Sequence, residues 1–249
     1  MELSGGKLPD RGTLADILEF GGFPEPFFAK DKIEWRRWQL ERVNRVLSDD
    51  LRDLERVQDV EVIRLLLDAL PERVGSPLSI NKLVPILEVS HPTLKRYLNI
   101  LDHLYLTYRI SPFGTPRIRA VKKEQKLYFW DWSTMEDPGA KFENLVASQL
   151  LKYCDYLTDT QGHRMELRFL RDTDSREVDF VVIKDQKPIF AVECKSGEKS
   201  LSPHIPYFKM RTGIPEFYQV HLGEKDYGDA HAGGRVLPFT RFCHELRMP

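Results

Sequence analysis

Three charged residues stand at the ends of two short apolar segments in the second half of the chain. Asp179 lies near the start of VDFVVI, and Glu193 and Lys195 end the segment PIFAVECK. Charged side chains are poor strand formers and need partners where they are buried. Carboxylate oxygens are ligands for Mg²⁺ or Mn²⁺, and a nearby lysine can hold a water or stabilise a phosphate oxygen. These residue types therefore indicate metal-assisted hydrolysis of a phosphodiester.

We interpret the two apolar segments as the strands of a β-hairpin whose turn, KDQK, covers residues 184–187. Side chains on a strand alternate between two faces, so Glu193 and Lys195 share a face, and the hairpin carries Asp179 beside them. Two carboxylates that meet repel each other unless a cation bridges them. The alternative is a structural ion pair at the edge of a sheet. We expect Glu177 to point to the other face and to lie in solvent.

A further carboxylate is supplied by Glu143 in the segment KFENLVAS, which we interpret as part of a helix. Glu143 would join Asp179 and Glu193 as a third acid of the metal site. The alternative for Glu143 is an exposed charge on a helix surface.

Glu143, then Asp179, then the Glu193-x-Lys195 pattern resembles the PD-(D/E)XK nuclease superfamily, which has the restriction-endonuclease-like fold. The resemblance implies that Asp179 and Glu193 bind the metal and that Lys195 is the base that positions the water. It also implies that Glu143 orients or binds a second metal. Val178 stands where that superfamily usually has a proline.

The elements of residues 138–249 agree with this interpretation. A helix over GAKFENLVASQLLKYCDYL precedes three strands, a helix over SPHIPYFKMRTGI, a further strand, and a closing strand and helix. This order predicts a three-layer α/β domain with a mixed sheet. We place the domain boundary at Pro138-Gly139.

Residues 59–137 have the order of a winged helix: three helices followed by two strands. The helices are predicted over about 59–70, from about residue 80 with Ser79 as its N-cap, and over 91–104 with Ser90 as its N-cap. Residues 1–58 form a helical lead-in that contains EFGGFPEPFF, an irregular segment that we expect to pack onto other parts of the chain.

Basic residues in the winged-helix region are candidates for contacts with nucleic acid phosphates. They lie on the third helix and on the connector between the two strands: Lys95, Arg96, Arg117, Arg119, Lys122 and Lys123. Lys126 ends the same basic run and is counted with it. The alternative is a winged helix that packs against protein.

A broader resemblance covers almost the whole chain. The segments GGFPEP, RDL, KLYFWD, KFENLVASQL, EVDFVV and VECKSG are similar, in this order, to the C-terminal region of a prokaryotic AAA+ ATP-binding protein family. That resemblance implies a winged helix followed by a nuclease-like domain, together with an ATPase module in cis or in trans. The ATPase module itself is absent from this chain.

Bulk properties exclude some classes of protein. The 249 residues carry a formal net charge of -1, so any contact with nucleic acid would be local rather than due to a global basic field. No apolar run approaches the roughly 20 residues of a membrane-spanning helix. The three cysteines have no metal-ligand spacing, and we predict a cytoplasmic protein with reduced thiols and no membrane partner.

The leading hypothesis is a nuclease-like module of an AAA+ ATP-binding protein, with the chemistry of a Mg²⁺-dependent DNA phosphodiesterase. The first alternative is a non-catalytic module that binds DNA or protein and has a vestigial acidic site. The second is an antitoxin-like or regulatory partner of an ATPase on another chain.

Overall fold

The computed structural model describes residues 11–50, 60–114 and 124–249. Its α-helices are α1 (Arg11–Phe20), α2 (Pro24–Ala29), α3 (Lys32–Arg45), α4 (Val60–Ala69), α5 (Ile80–Leu87), α6 (His91–His103), α7 (Pro138–Gln161), α8 (His204–Lys209) and α9 (Phe239–Glu245). Its strands are β1 (Thr107–Pro112), β2 (Lys126–Phe129), β3 (Met165–Arg171), β4 (Glu177–Lys184), β5 (Lys187–Lys195), β6 (Phe217–His221), β7 (Tyr227–Asp229) and β8 (Gly234–Pro238). None of the described helices is both long and apolar enough to cross a membrane.

The strands of the described residues form one mixed sheet of eight, in the order β2-β1-β3-β4-β5-β6-β8-β7. Strands β3, β4 and β5 pair antiparallel, whereas β6 runs parallel to both β5 and β8. The mixed α/β class predicted from the sequence is therefore confirmed. Strands β1 and β2, which the sequence assigns to the N-terminal half, extend the same sheet. The division of the chain at residues 58 and 137 stays a prediction.

The hairpin of β4 and β5 is closed by a two-residue turn. Asp185 and Gln186 both have positive φ, 48° and 67°, and Lys184 pairs with Lys187. Positive φ at both central positions is the conformation of a type I′ turn, whose twist matches that of the strands. The turn confirms the hairpin predicted at residues 184–187, and it sets which residues of β4 face which residues of β5.

Helix α7 lies against the sheet and carries Glu143. The Asp137 carboxylate accepts the backbone N–H of Ala140 at 2.7 Å and caps its first turn, while Gly162 ends it with a φ of 72°. Its apolar face is buried in the main core, including Phe142, which is fully buried. The two caps and the packed face hold the position of Glu143 relative to the strands.

Helices α4, α5 and α6 precede β1 and β2, in the order predicted for residues 59–137. Ser90 caps α6, because its hydroxyl accepts the backbone N–H of Thr93 at 3.2 Å. Ser79 occupies the N-cap position of α5 but makes no side-chain capping bond. The predicted apolar stripe of α6 is buried at Leu94, Tyr97, Leu98 and Leu101.

The glycine pair of the lead-in lies against the segment that follows β2. A Cβ on Gly21 would be 2.5 Å from Asp131 Oδ1, and a Cβ on Gly22 would be 2.7 Å from the Trp132 ring. Trp132 Nε1 also donates to the carbonyl of Ile17 at 2.8 Å. This close approach requires glycine, and it explains how EFGGFPEPFF packs onto the rest of the protein.

Replacing Gly21 by alanine is expected to destabilise the protein by about 1–3 kcal/mol, since the backbone there has a φ of 84° and the new methyl group would clash with Asp131. Gly162→Ala is a matched control, because Gly162 also has positive φ (72°) but nothing lies within 4 Å of its Cβ position. Urea unfolding of both variants measures the difference. Equal losses would show that contact with Asp131 does not require glycine.

Candidate functional site

Asp179 and Glu193 lie side by side across the β4–β5 pair. Phe180 pairs with Val192, and the Asp179 carboxylate accepts the backbone N–H of Cys194 at 2.8 Å. Lys195 Nζ donates to Glu193 Oε1 at 2.6 Å. The hairpin thus brings together the three residues singled out in the sequence. The two carboxylates are buried, whereas the Lys195 side chain is 30% exposed. Solvent therefore reaches this group of three residues from the side of Lys195.

One oxygen of this group has no hydrogen-bond partner. Glu193 Oε2 is buried, and none of the residues that the structure describes donates a hydrogen bond to it. A buried carboxylate oxygen without a donor raises the free energy of the folded state, because its hydration is lost and no protein hydrogen bond replaces it. A cation bound at this oxygen would remove that cost.

A lysine outside the predicted site lies next to it. Lys126, at the start of β2, is fully buried. Its ammonium group is 2.5 Å from Glu177 Oε1, 3.1 Å from Glu143 Oε1 and 3.4 Å from Asp179 Oδ1. The side chain also passes over the Phe169 ring, with Nζ 5.6 Å from the ring centroid. An N-terminal strand therefore supplies a positive charge to three acids of the C-terminal half.

Glu143 points into the protein. Its Oε1 accepts from Tyr128 Oη at 2.8 Å as well as from Lys126, and its side chain is 16% exposed. Gly75, in the loop after α4, approaches so closely that a Cβ there would be 2.7 Å from Glu143 Oε2. Glu143 is therefore not the exposed helix charge that was the alternative. Its role as a metal ligand stays a prediction.

The expectation that Glu177 lies in solvent is wrong. Glu177 accepts from Lys126 Nζ at 2.5 Å and from Arg171 at 2.6 Å, and its side chain is 16% exposed. Residues two apart on a strand share a face, so Glu177 and Asp179 point the same way. We call the group formed by Glu143, Glu177, Asp179 and Glu193 the acid cluster.

Among the residues that the structure describes, the four carboxylates of the acid cluster contact three cations, which are Lys126, Arg171 and Lys195. Burial opposes the charged form of Lys126, but the carboxylates of Glu143, Asp179 and Glu177 outweigh it and raise the lysine pKa. Burial, followed by the negative charge of Asp179, raises the pKa of Glu143 to about 7 and that of Glu193 to about 8. Without a bound metal, the cluster therefore holds protons near neutral pH, and an added cation could take their place.

These raised pKa values are expected to make the metal-free protein less stable as the pH rises from about 4.5 towards 8. Over that range the folded protein binds more protons than the unfolded chain, so the free energy of unfolding falls with rising pH. Each group contributes a slope of at most about 1.4 kcal/mol per pH unit. Urea unfolding in EDTA at several pH values measures it. The slope should be smaller in Glu193→Gln, and an unchanged slope would contradict the buried position of this acid.

The pair Asp179 and Glu193 suits a hard divalent cation. Both supply carboxylate oxygens, one of which lacks a donor, and Mg²⁺ is usually held by one or two carboxylates while it keeps several waters. Among the described residues, no group of three His, Cys, Asp or Glu side chains is placed to hold a metal ion, and the three acids that converge on Lys126 contact its ammonium group instead. The residues thus fit an ion held by two carboxylates, with Glu143 engaged by Lys126.

The predicted nucleic-acid contacts are only partly covered by the structure. Lys95 and Arg96 are exposed neighbours on α6, and the Arg96 guanidinium lies 5.3 Å from the Tyr97 ring centroid. The connector residues Arg117, Arg119, Lys122 and Lys123 lie outside the described residues. The assignment of Lys126 to this basic run is wrong. Its side chain is buried in the acid cluster and cannot contribute to a basic surface.

Sequence reasoning missed Lys126 as a site residue because its partners are far away in the chain. A signal was present in the segment KLYF, where a lysine begins an otherwise apolar strand and shares a face with Tyr128. Both side chains contact Glu143. A charged residue at the start of an apolar strand therefore predicts a buried partner of opposite charge, as it did for Asp179.

The fold and site define a mixed α/β protein in which a buried acid cluster joins the N-terminal strands to the main sheet. Residues 11–136, just over half of the chain, match a domain of unknown function, DUF8612, and the chain belongs to this family. Residues 138–242 match a second domain of unknown function, DUF4143. The DUF4143 domain is found in proteins associated with AAA ATPases, which agrees loosely with the resemblance drawn from the sequence. No curated protein and no solved structure matches the chain.

Proposed function

We propose that the C-terminal half is a PD-(D/E)XK nuclease-like module that hydrolyses DNA phosphodiesters with Mg²⁺ or Mn²⁺. The observation that carries the proposal is the buried pair of Asp179 and Glu193 with Lys195 beside it. The unpaired oxygen of Glu193 supplies the reason for a cation at this position.

The topology supports the same proposal. Helix α7, the antiparallel strands β3, β4 and β5, helix α8 and the parallel strand β6 follow one another in the order expected of a restriction-endonuclease-like core. The pair of carboxylates lies on the central hairpin of that core. Fold alone does not define activity, so the proposed activity depends on the residues of the site.

In this proposal Asp179 and Glu193 hold the ion, which when bound would polarise the phosphate and lower the pKa of a water. Burial opposes the charged form of Lys195, but the Glu193 carboxylate outweighs it and raises the lysine pKa. In the metal-free protein, Lys195 is therefore an ammonium group near neutral pH. It acts as a hydrogen-bond donor that positions a water or a phosphate oxygen, rather than as the group that takes up the proton.

The N-terminal half would bring DNA to the site. Lys95 and Arg96 lie on α6, the third helix of the proposed winged helix, and the basic connector at residues 117–123 adds four further positive charges. Cations of this kind bind phosphates without reading sequence. We further propose that the module works with an AAA+ ATPase in cis or in trans, and the association of DUF4143 with such proteins supports this.

Incubation of the protein with plasmid and single-stranded DNA tests the proposal. Cleavage is expected with Mg²⁺ or Mn²⁺, and EDTA should stop it. Ca²⁺ serves as a further divalent comparison, and a Lys195→Ala sample identifies any contaminating nuclease, since that sample should not cut. The absence of cleavage with every divalent ion and both substrates would reject the catalytic proposal.

The second candidate is a non-catalytic module that binds DNA or protein and retains a vestigial acidic site. The observation that favours it is Lys126, which already supplies a positive charge to three of the four acids. This candidate predicts DNA binding that weakens with salt and with Lys95→Gln, without cleavage. A protein that neither binds nor cuts DNA would favour protein interaction, including regulation of an ATPase on another chain.

A further inference from the structure

The surroundings of Lys126 Nζ resemble those of a bound metal ion. Three oxygens from three different carboxylates lie within 3.4 Å of the nitrogen. An ammonium group has three N–H donors, so Glu143, Glu177 and Asp179 match its full donor capacity. Hard oxygen ligands of this kind are also what Mg²⁺ and Mn²⁺ select.

The strands keep this lysine in its place. Lys126 pairs with Ile110 in the β1–β2 ladder, and the side chain is covered on one side by the Phe169 ring. Because the side chain is fully buried, water cannot replace the ammonium group as the partner of these acids. A second cation, or protons bound by the acids themselves, would then have to compensate three carboxylates in the same volume.

We propose that the Lys126 ammonium group takes the place of a second divalent cation and so limits the site to a single ion, held by Asp179 and Glu193. This inference rests on the proposed function for that single ion. Asp179 belongs to both groups: its Oδ1 faces Lys126, while its Oδ2 accepts from the Cys194 backbone. The N-terminal half would thereby set the metal content of the C-terminal half.

Counting bound Mn²⁺ tests this inference without any measurement of cleavage. The free Mn²⁺ signal in electron paramagnetic resonance is followed while ion is added to wild type and to Lys126→Met, which keeps most of the side-chain volume without the charge. We expect the number of ions bound per chain to rise from one in wild type to two in Lys126→Met, because Glu143 and Glu177 become available as ligands.

Lys209→Met is a matched control. Lys209 also lies over an aromatic ring, with Nζ 5.6 Å from the Phe217 centroid, but it donates to the carbonyls of Pro215 and Ala230. Removing this charge uncovers no carboxylate of the acid cluster. We expect Lys209→Met to bind the same number of ions as wild type.

The outcomes separate this inference from the proposed function. If wild type and Lys126→Met each bind one ion with equal affinity, the inference is overturned and the metal site stands. If wild type binds none and Lys126→Met binds one or more, Lys126 does take the place of a cation, but the single-ion site of the proposed function is rejected. If neither protein binds Mn²⁺, both are rejected.

Should Lys126→Met fold poorly, thermal melting decides the question. We expect Mn²⁺ to raise the melting temperature of Lys126→Met more than that of wild type, because the ion replaces the missing charge. Equal shifts in the two proteins, or no recovery of folded Lys126→Met in Mn²⁺, would overturn the inference.

Discussion

Replacing Asp179 by asparagine is expected to lower the rate of DNA cleavage by about a thousandfold. A bound metal contributes several kcal/mol to catalysis, and each 1.36 kcal/mol corresponds to about tenfold in rate. Asparagine has the same shape as aspartate, and its amide oxygen can still accept the Cys194 backbone N–H that Asp179 accepts at 2.8 Å. The fold should therefore survive the change, while the ion loses a charged ligand.

The rate of plasmid cleavage in Mg²⁺ measures this effect, and thermal melting checks that the variant is folded. Glu166→Gln on β3 is the control, since Glu166 is partly buried and pairs with Arg168, outside the acid cluster. It should cleave at the wild-type rate. If folded Asp179→Asn cuts as fast as wild type, Asp179 takes no part in the chemistry.

Replacing Lys126 by methionine is expected to lower the free energy of unfolding by about 3–5 kcal/mol in EDTA, because breaking a buried ion pair leaves uncompensated charge. Three carboxylates lie within 3.4 Å of Lys126 Nζ, which places this change at the upper end of single substitutions. Guanidinium or urea unfolding gives the value. The same loss is not expected for Lys209→Met, whose ammonium group donates to backbone carbonyls.

A double variant separates electrostatics from packing. Combining Lys126→Met with Glu143→Gln removes one of the carboxylate charges that Lys126 no longer neutralises. The double variant should recover part of the lost stability, since the stability effects of residues in contact are coupled. A Lys126→Met protein as stable as wild type would mean that the acid cluster does not need this cation. A double variant whose loss equals the sum of the two single losses would assign the effect of Lys126→Met to packing instead.

The hairpin was predictable from the sequence because its signals are local. Two apolar segments and a short polar turn define β4 and β5, and period-two alternation then places Glu193 and Lys195 together beside Asp179. The same rule, applied to Glu177, would have placed it with Asp179. That error came from assigning the wrong face and not from missing information.

The position of Lys126 was not predictable in the same way. Its acidic partners on β4 are about fifty residues later in the chain, as with Asp179, 53 positions away. In the sequence it follows a basic run and looks like one more solvated charge. Only the packing of β2 against the main sheet shows that this lysine is buried, and helix α7 supplies Glu143 from a third direction.

Titration of Mn²⁺ into wild type and into Glu193→Gln tests most directly whether the β4–β5 hairpin holds a divalent ion. Wild type is expected to bind one ion through Asp179 and Glu193. Glu193→Gln keeps an oxygen for Lys195 but loses the charge, and should bind at least about tenfold more weakly, a difference of about 1.4 kcal/mol. Equal affinity in the two proteins, or no binding by wild type, would contradict a metal site at this hairpin.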